Sequence, residues 1–284
     1  MAELGAKPGG PEIQSIYQAL ALRKKEALPV LKEKLRTGQL WEKHRITKFL
    51  RLCPWSETKE ELVGLAQDPT SHALLRQDAI YTLGALGDRS IGPAMVGLLN
   101  SPDTSVNLRM ASISTLARIQ YTEAVDEITP FTRSDEMHLR LFANRALSEM
   151  GAPVDTDFLT QSLRNDDYVT RQEASEAIWT VQGQDITERL KELSQNDPNE
   201  SVRDGASQAL LRRQMSGLSP ADKARLLQDA LSNAGRLTSL WILRTALDEG
   251  GAEGRNLVES LASSDNFIGE RSRAYLIFSD SPRR

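Results

Sequence analysis

Three histidines, one cysteine and two sets of neighbouring carboxylates are the side chains of this 284-residue chain best suited to chemistry. A metal site needs clustered His, Cys, Asp or Glu. His44, His72 and His138 instead stand apart, each shortly before an arginine, which places them as surface or turn histidines. A nucleophile needs a base beside it. Cys53 runs into Pro54 and Trp55 and reads as core packing. Acid–base catalysis needs carboxyls held in a closed cleft. Asp166-Asp167 are expected on a turn, and Glu173 with Glu176 on an exposed helix face, both as solvated charge. No Gly-x-Ser-x-Gly, Walker-type loop or Rossmann glycine pattern occurs. No catalytic residue, metal or cofactor is therefore expected.

The elements that position these residues follow from a repeat. Arginines recur at 45, 76, 109, 140, 171, 203, 236 and 271, at intervals of 31 to 35 residues. Seven residues after each comes a large apolar side chain: Leu52, Leu83, Leu116, Leu147, Ile178, Leu210, Leu243 and Phe278. Three residues after most comes a small one: Ala79, Ser112, Ala143, Ala174, Ala206, Ser239 and Ala274, with Lys48 as the exception. Such a period marks stacked repeats. Each repeat reads as two helices. The first is predicted over 60–66, 91–99, 124–132, 157–163, 186–193, 221–231 and 254–261. The second opens at the arginine, as in Arg76-Gln77-Asp78-Ala79-Ile80-Tyr81-Thr82-Leu83-Gly84. Offsets three, four and seven form its buried stripe.

Before the repeats, residues 1–11 hold Gly5, Pro8, Gly9, Gly10 and Pro11 and read as a disordered leader. Pro29 is expected in the first turn of a helix, where its missing N–H costs nothing. One domain is expected over 12–284: an N-terminal cap at 12–40, regular repeats at 41–250 and a C-terminal cap at 251–284. No apolar run is long enough to span a bilayer. MAELGAKPGG shows no signal peptide, and a single cysteine precludes an intrachain disulfide. A cytoplasmic location is the expectation.

Charge is polarised. The net charge is −4, yet residues 1–52 hold 11 Lys and Arg against 5 Glu. From Tyr121 to Asp204 the balance is 8 Lys and Arg against 18 Asp and Glu. A nucleic-acid groove needs a contiguous basic surface, so none is expected in the centre of the chain.

Leu75-Arg76…Ala79…Leu83-Gly84 and Val202-Arg203…Ala206…Leu210 carry a resemblance to HEAT repeats, in particular the HEAT-like repeats of phycobilisome lyases. It covers about residues 40–280. It implies an all-α, right-handed α-solenoid of about eight two-helix repeats. It also implies an Asp six residues before the arginine that ties neighbouring turns, a place held by Asp103, Asp197 and Asp265. Deoxyhypusine hydroxylase is similar in architecture but uses His-Glu pairs, and no His-Glu pair occurs here. Repeat-built DNA glycosylases are similar too, but with a cationic groove.

In such solenoids the second helices line the concave face. Offsets one, two and five from each arginine are expected there: Gln77, Asp78, Tyr81, Met110, Ser114, Leu141, Phe142, Arg145, Gln172, Glu173, Glu176, Asp204, Gln208, Leu237 and Trp241. Aromatic, Met and Arg anchors among charges suit a protein-binding surface. The expected function is a non-enzymatic scaffold for a protein or peptide partner. The alternative implied by the resemblance is a bilin lyase-like subunit acting on a chromophore–protein linkage.

Overall fold

The computed structural model describes the backbone of residues 11–279 and the side chains of 16–276 other than Gln18. The expectations for residues 1–10 and for Phe278 lie outside the described residues. Pro11 is not leader but the first residue of a helix. No strand occurs among the described residues, and the α-helices follow in order. They are α1 (Pro11–Leu22), α2 (Lys24–Thr37), α3 (Leu40–Leu52), α4 (Lys59–Gln67), α5 (Ala73–Leu86), α6 (Gly92–Asn100), α7 (Val106–Arg118), α8 (Val125–Ile128) and α9 (Met137–Glu149). Then come α10 (Thr156–Ser162), α11 (Tyr168–Ala177), α12 (Gln184–Asn196), α13 (Glu200–Met215), α14 (Pro220–Leu231), α15 (Arg236–Glu249), α16 (Gly251–Leu261) and α17 (Phe267–Ser279). The described residues divide into two compact units, one built on residues 11–127 and the other on residues 128–276.

Helix pairs repeat within each unit. In the first, α4 packs on α5 and α6 on α7, while α3, α5 and α7 lie side by side. In the second, α10 packs on α11, α12 on α13 and α14 on α15, while α9, α11, α13 and α15 lie side by side. The first helices match their predicted spans closely, with one departure. The segment predicted as a single helix over 124–132 is a 3-10 turn, the short α8 and a second 3-10 turn, Thr129–Arg133. Pro130 has no N–H and disfavours the α conformation at Thr129, so a continuous helix is interrupted. Pro29 also departs: α2 starts at Lys24, because Arg23 breaks from α1 at φ −114°, ψ 40°, and leaves the exposed Pro29 inside the helix.

The small-residue column forms the tight seam between second helices. Ala79, Ala143, Ala174, Ala206 and Ser112 are fully buried, and so are the large residues Leu83, Leu116, Ile178 and Leu243. Thr115 donates its Oγ1–H to the carbonyl of Ile80 at 3.0 Å, and Thr82 donates to Thr47 O at 3.1 Å. A Cβ on Gly84 would meet Thr115 Oγ1 at 3.1 Å, so the glycine gives this contact its room.

Those two hydrogen bonds also reveal a register shift. Ile80 stands four residues after Arg76, so Thr47 stands four residues after the equivalent of that arginine, which is Lys43 and not Arg45. Ile46 and Leu50 then take the third and seventh places, at 2% and 0% exposure. Leu52, expected in the core, is 46% exposed for this reason, and Lys48 no longer breaks a column.

The arginines act structurally. Each of four folds back onto carbonyls just before its helix: Arg76 Nε on Ala66 in the last turn of α4, and, in the intervening turns, Arg109 Nη2 on Ser101, Arg171 Nη1 on Asn165 and Asp166, and Arg203 Nη1 on Asp197 and Pro198. These carbonyls offset the unfavourable place of a cation near a helix N-terminus. The expected Asp ladder exists at one place: Asp197 accepts from Arg171 Nε at 2.8 Å and Nη2 at 3.1 Å. Asp103 and Asp265 are exposed at their turns and bond no arginine among the described residues. Arg140 reaches Asp155 instead, at 2.8 Å, and Arg236 and Arg271 lie over the Phe267 ring at 4.6 and 5.4 Å.

Candidate functional site

The side chains left over once the seam is packed define a face on the second helices of each unit. All eleven foremost candidates are half-buried: Gln77, Asp78, Tyr81, Met110 and Ser114 in the first unit, and Phe142, Arg145, Glu173, Glu176, Gln208 and Trp241 in the second. Leu237 is 44% exposed. Two further residues expected on this face are not there. Leu141 is fully buried in the cluster that joins Phe158, Leu159, Ala174 and Ile178. Asp204 is 3% exposed, because its carboxylate caps the next second helix. It accepts from Leu237 N at 3.3 Å, Thr238 N at 3.0 Å and the Thr238 hydroxyl. Gly235, the residue before α15, has no side chain to do this, and a Cβ there would collide with Asp204.

In the second unit the face is a closed charge network. Arg145 bonds Glu176 on the following helix through Nη1 and Glu149 on its own through Nε at 3.1 Å. Burial opposes the Arg145 charge, but Glu176 and Glu149 outweigh it and raise its pKa. Gln172 Nε2 donates to Glu176 at 3.0 Å. Arg212 stands 3.6 Å from Glu149 and lies between two indoles, 5.8 Å from the Trp179 ring and 5.7 Å from the Trp241 ring. His138 Nδ1 lies 3.2 Å from Glu173 Oε2. Burial pushes the Glu173 carboxyl up, and His138 only partly reverses that. Glu173 and Glu176 are thus half-buried and paired, not solvated on an open helix, because the adjacent second helices close over them.

The remaining chemical candidates are structural. Asp167 caps α11, accepting from Thr170 N at 2.8 Å and Thr170 Oγ1 at 2.9 Å, and these bonds lower its pKa. His72 Nδ1 accepts from Leu74 N at 3.3 Å and caps α5. His44 sits inside α3, its Nδ1 2.8 Å from Asp78 Oδ2. Cys53 is fully buried, as expected of a packing residue. No group of three or more His, Cys, Asp or Glu among the described residues is placed to hold a metal ion. No described helix is long and apolar enough to cross a membrane.

Glu149, Trp179 and Arg212 were not among the sequence candidates. They stand eight or nine residues after their arginines, one helical turn beyond offset five. Extending the same stripe by that turn finds them.

In the first unit the equivalent face is open. Counting from Lys43, Lys48 and Leu52 hold the fifth and ninth places, those of Arg145 and Glu149. Lys48, Arg51 and Arg118 are exposed, and no ion pair engages them among the described residues.

Residues 93–179 match the family model for HEAT repeats. No curated protein matches the chain by sequence. Among solved structures, the complex of CpcE and CpcF of phycocyanin lyase from Nostoc sp. PCC7120 is similar at 20% identity and TM-score 0.57, covering 81% of this chain and 92% of that one. Human deoxyhypusine hydroxylase in complex with glycerol aligns at 14% identity and TM-score 0.43, covering 92% of this chain and 99% of that one. Residues 93–179 thus carry HEAT repeats, and the described residues form an all-α helical-repeat fold similar to that of the phycocyanin lyase complex.

Proposed function

We propose that the chain is a non-enzymatic scaffold that holds a protein or peptide partner on its second-helix faces. One observation carries this reading. From Arg76 onward the third place after each arginine stays small and the seventh stays large, both mostly buried, whereas the fifth changes from Tyr81 to Ser114, Arg145, Glu176, Gln208 and Trp241, with Lys48 at the equivalent place in α3. Side chains that differ from repeat to repeat on an accessible stripe are where specificity for an extended partner is written. The half-buried Phe142, Trp179 and Trp241 beside Arg212 supply the aromatic and arginine anchors that dominate such interfaces. The acidic balance of residues 121–204 favours protein over nucleic acid. The single buried Cys53 suits a reducing, cytoplasmic setting.

The test is capture of partners by the tagged chain, followed by binding titrations of each purified partner. The triple variant Tyr81→Ala, Phe142→Ala, Arg145→Ala should weaken them. If every partner binds the variant as tightly as the parent, this face is not the site.

A second reading, a lyase-like subunit acting on a bilin–protein linkage, has the fold likeness to the phycocyanin lyase complex as its support. Visible absorbance after mixing with bilins tests it. Unchanged spectra with every bilin, with and without an acceptor protein, remove it.

A further inference from the structure

The two units use the same positions of the second-helix face in opposite ways. In the second unit each cation is answered from within: Arg145 by Glu176 and Glu149, and Arg212 by Glu149. In the first unit Lys48 occupies the place of Arg145. The neighbouring helices offer Tyr81 and Ser114 at the same place and no carboxylate. Arg51 and Arg118 are likewise without an ion-pair partner among the described residues. Asp78 lies on this face, but its carboxylate is held 2.8 Å from His44.

Apolar surface accompanies these cations. Leu52 is 46% exposed and stands one helical turn beyond Lys48. Nearer the start of α3, Trp41 is 47% exposed, and its indole N–H is already satisfied by Gln39 Oε1 at 2.8 Å. Arg51 and Arg118 end their helices, where the helix dipole favours cations. Lys48 lies mid-helix and draws no such benefit.

We propose that this strip of the first unit, Lys48, Arg51, Leu52 and Arg118, docks an acidic segment of a partner protein that carries apolar side chains. The inference rests on the scaffold reading and names the partner's chemistry. Charge complementarity points to the occupant: the carboxylates that the second unit supplies internally come here from the partner. Opposite charges of this kind steer encounter and set register. Nucleic acid fits less well. Duplex binding typically engages about 6–10 phosphates, and this strip offers few free cations beside an exposed leucine.

The probe is a fluorescein-labelled peptide of glutamates with a leucine at every fourth position, titrated into the full chain and followed by anisotropy. The controls are the same peptide with lysine for glutamate, an all-glutamate peptide and a labelled single-stranded DNA. The glutamate–leucine peptide should bind, and the lysine peptide should not. Lys48→Glu, Arg51→Glu, Arg118→Glu together should weaken binding about tenfold or more. The milder Lys48→Gln, Arg51→Gln, Arg118→Gln variant, which keeps the helices intact, should weaken it less. Leu52→Ser should remove the advantage over the all-glutamate peptide, and Arg225→Ala, at an exposed position of the first helix α14, should change nothing. The inference is overturned if the charge-reversed chain binds as well as the parent, if the lysine peptide binds equally, or if DNA binds more tightly than the peptide. A chain that ignores the peptide yet loses captured partners through Phe142 and Arg145 overturns this inference and leaves the scaffold reading standing. Loss of neither sinks both.

Discussion

On α9, Arg145 at the fifth place and Glu149 at the ninth meet Glu176 and Arg212 from the helices that follow. On α3, Lys48 and Leu52 hold those places and face solvent. The backbone that presents the two sets is the same second helix of a repeat. The difference shows that packing in this fold constrains the seam and leaves the face free. A face can spend its charges on its own neighbours, as in the second unit, or keep them unmatched, as in the first. Charges matched across helices tie neighbouring repeats together, whereas unmatched ones stay in solvent.

The comparison breaks first at the turns. Asp197, buried and doubly bonded to Arg171, has an exposed counterpart in Asp103. Asp197→Ala should cost about 2 kcal/mol in urea denaturation, since the half-buried Arg171 guanidinium loses its carboxylate and keeps only the Asn165 and Asp166 carbonyls as acceptors. Asp103→Ala should fall within about 0.5 kcal/mol. Equal losses would mean that the ladder runs through both units. At the seam, Ala174→Leu should overpack α11 and cost roughly 1–3 kcal/mol, although α3 accommodates Ile46 at the equivalent place. A neutral result would show a looser second unit.

Arg145→Ala should cost about 1 kcal/mol, a figure reduced because a third of the side chain remains exposed. Lys48→Ala should cost about 0.5 kcal/mol or less. If Lys48→Ala is the more damaging, the first face is not unmatched. The smallest effect concerns pH. The folded pKa of Glu173 is raised by burial, so its stabilising contribution is present below the unfolded carboxylate pKa and is lost as pH rises through the folded value. Glu173→Gln should therefore raise Tm slightly at neutral pH, and the gain should shrink as pH falls into the carboxylate range. A gain that grows on acidification would contradict the cause assigned.

Much of the fold is legible in the residues alone, because each repeat is local. The arginine, the small residue three places on and the large one seven places on all belong to a single helix, and Ala79, Ala143 and Ala174 are buried as the pattern requires. The failures arise where the deciding partner lies in another repeat. Arg45 matches the period, yet the hydrogen bond from Thr82 to Thr47 sets α3 two residues earlier. Asp204 resembles a solvent-facing acid until the start of α15, more than thirty residues later, supplies its donors. Leu141 is drawn into a cluster with Phe158 from the first helix of the next pair. On the face itself, the side chains were identifiable by offset, but whether a charge is answered depends on the helix beside it.

The Asp204 cap has a mechanical consequence. Its acceptor belongs to α13 and its donors to α15, so the first turn of α15 is anchored outside its own repeat. Tension applied at the C-terminal side, or a protease trimming from there, would meet a clamp and not a series of equal steps. Once that clamp yields, α14 to α16 would be released together, leaving a gap in an otherwise regular unzipping pattern.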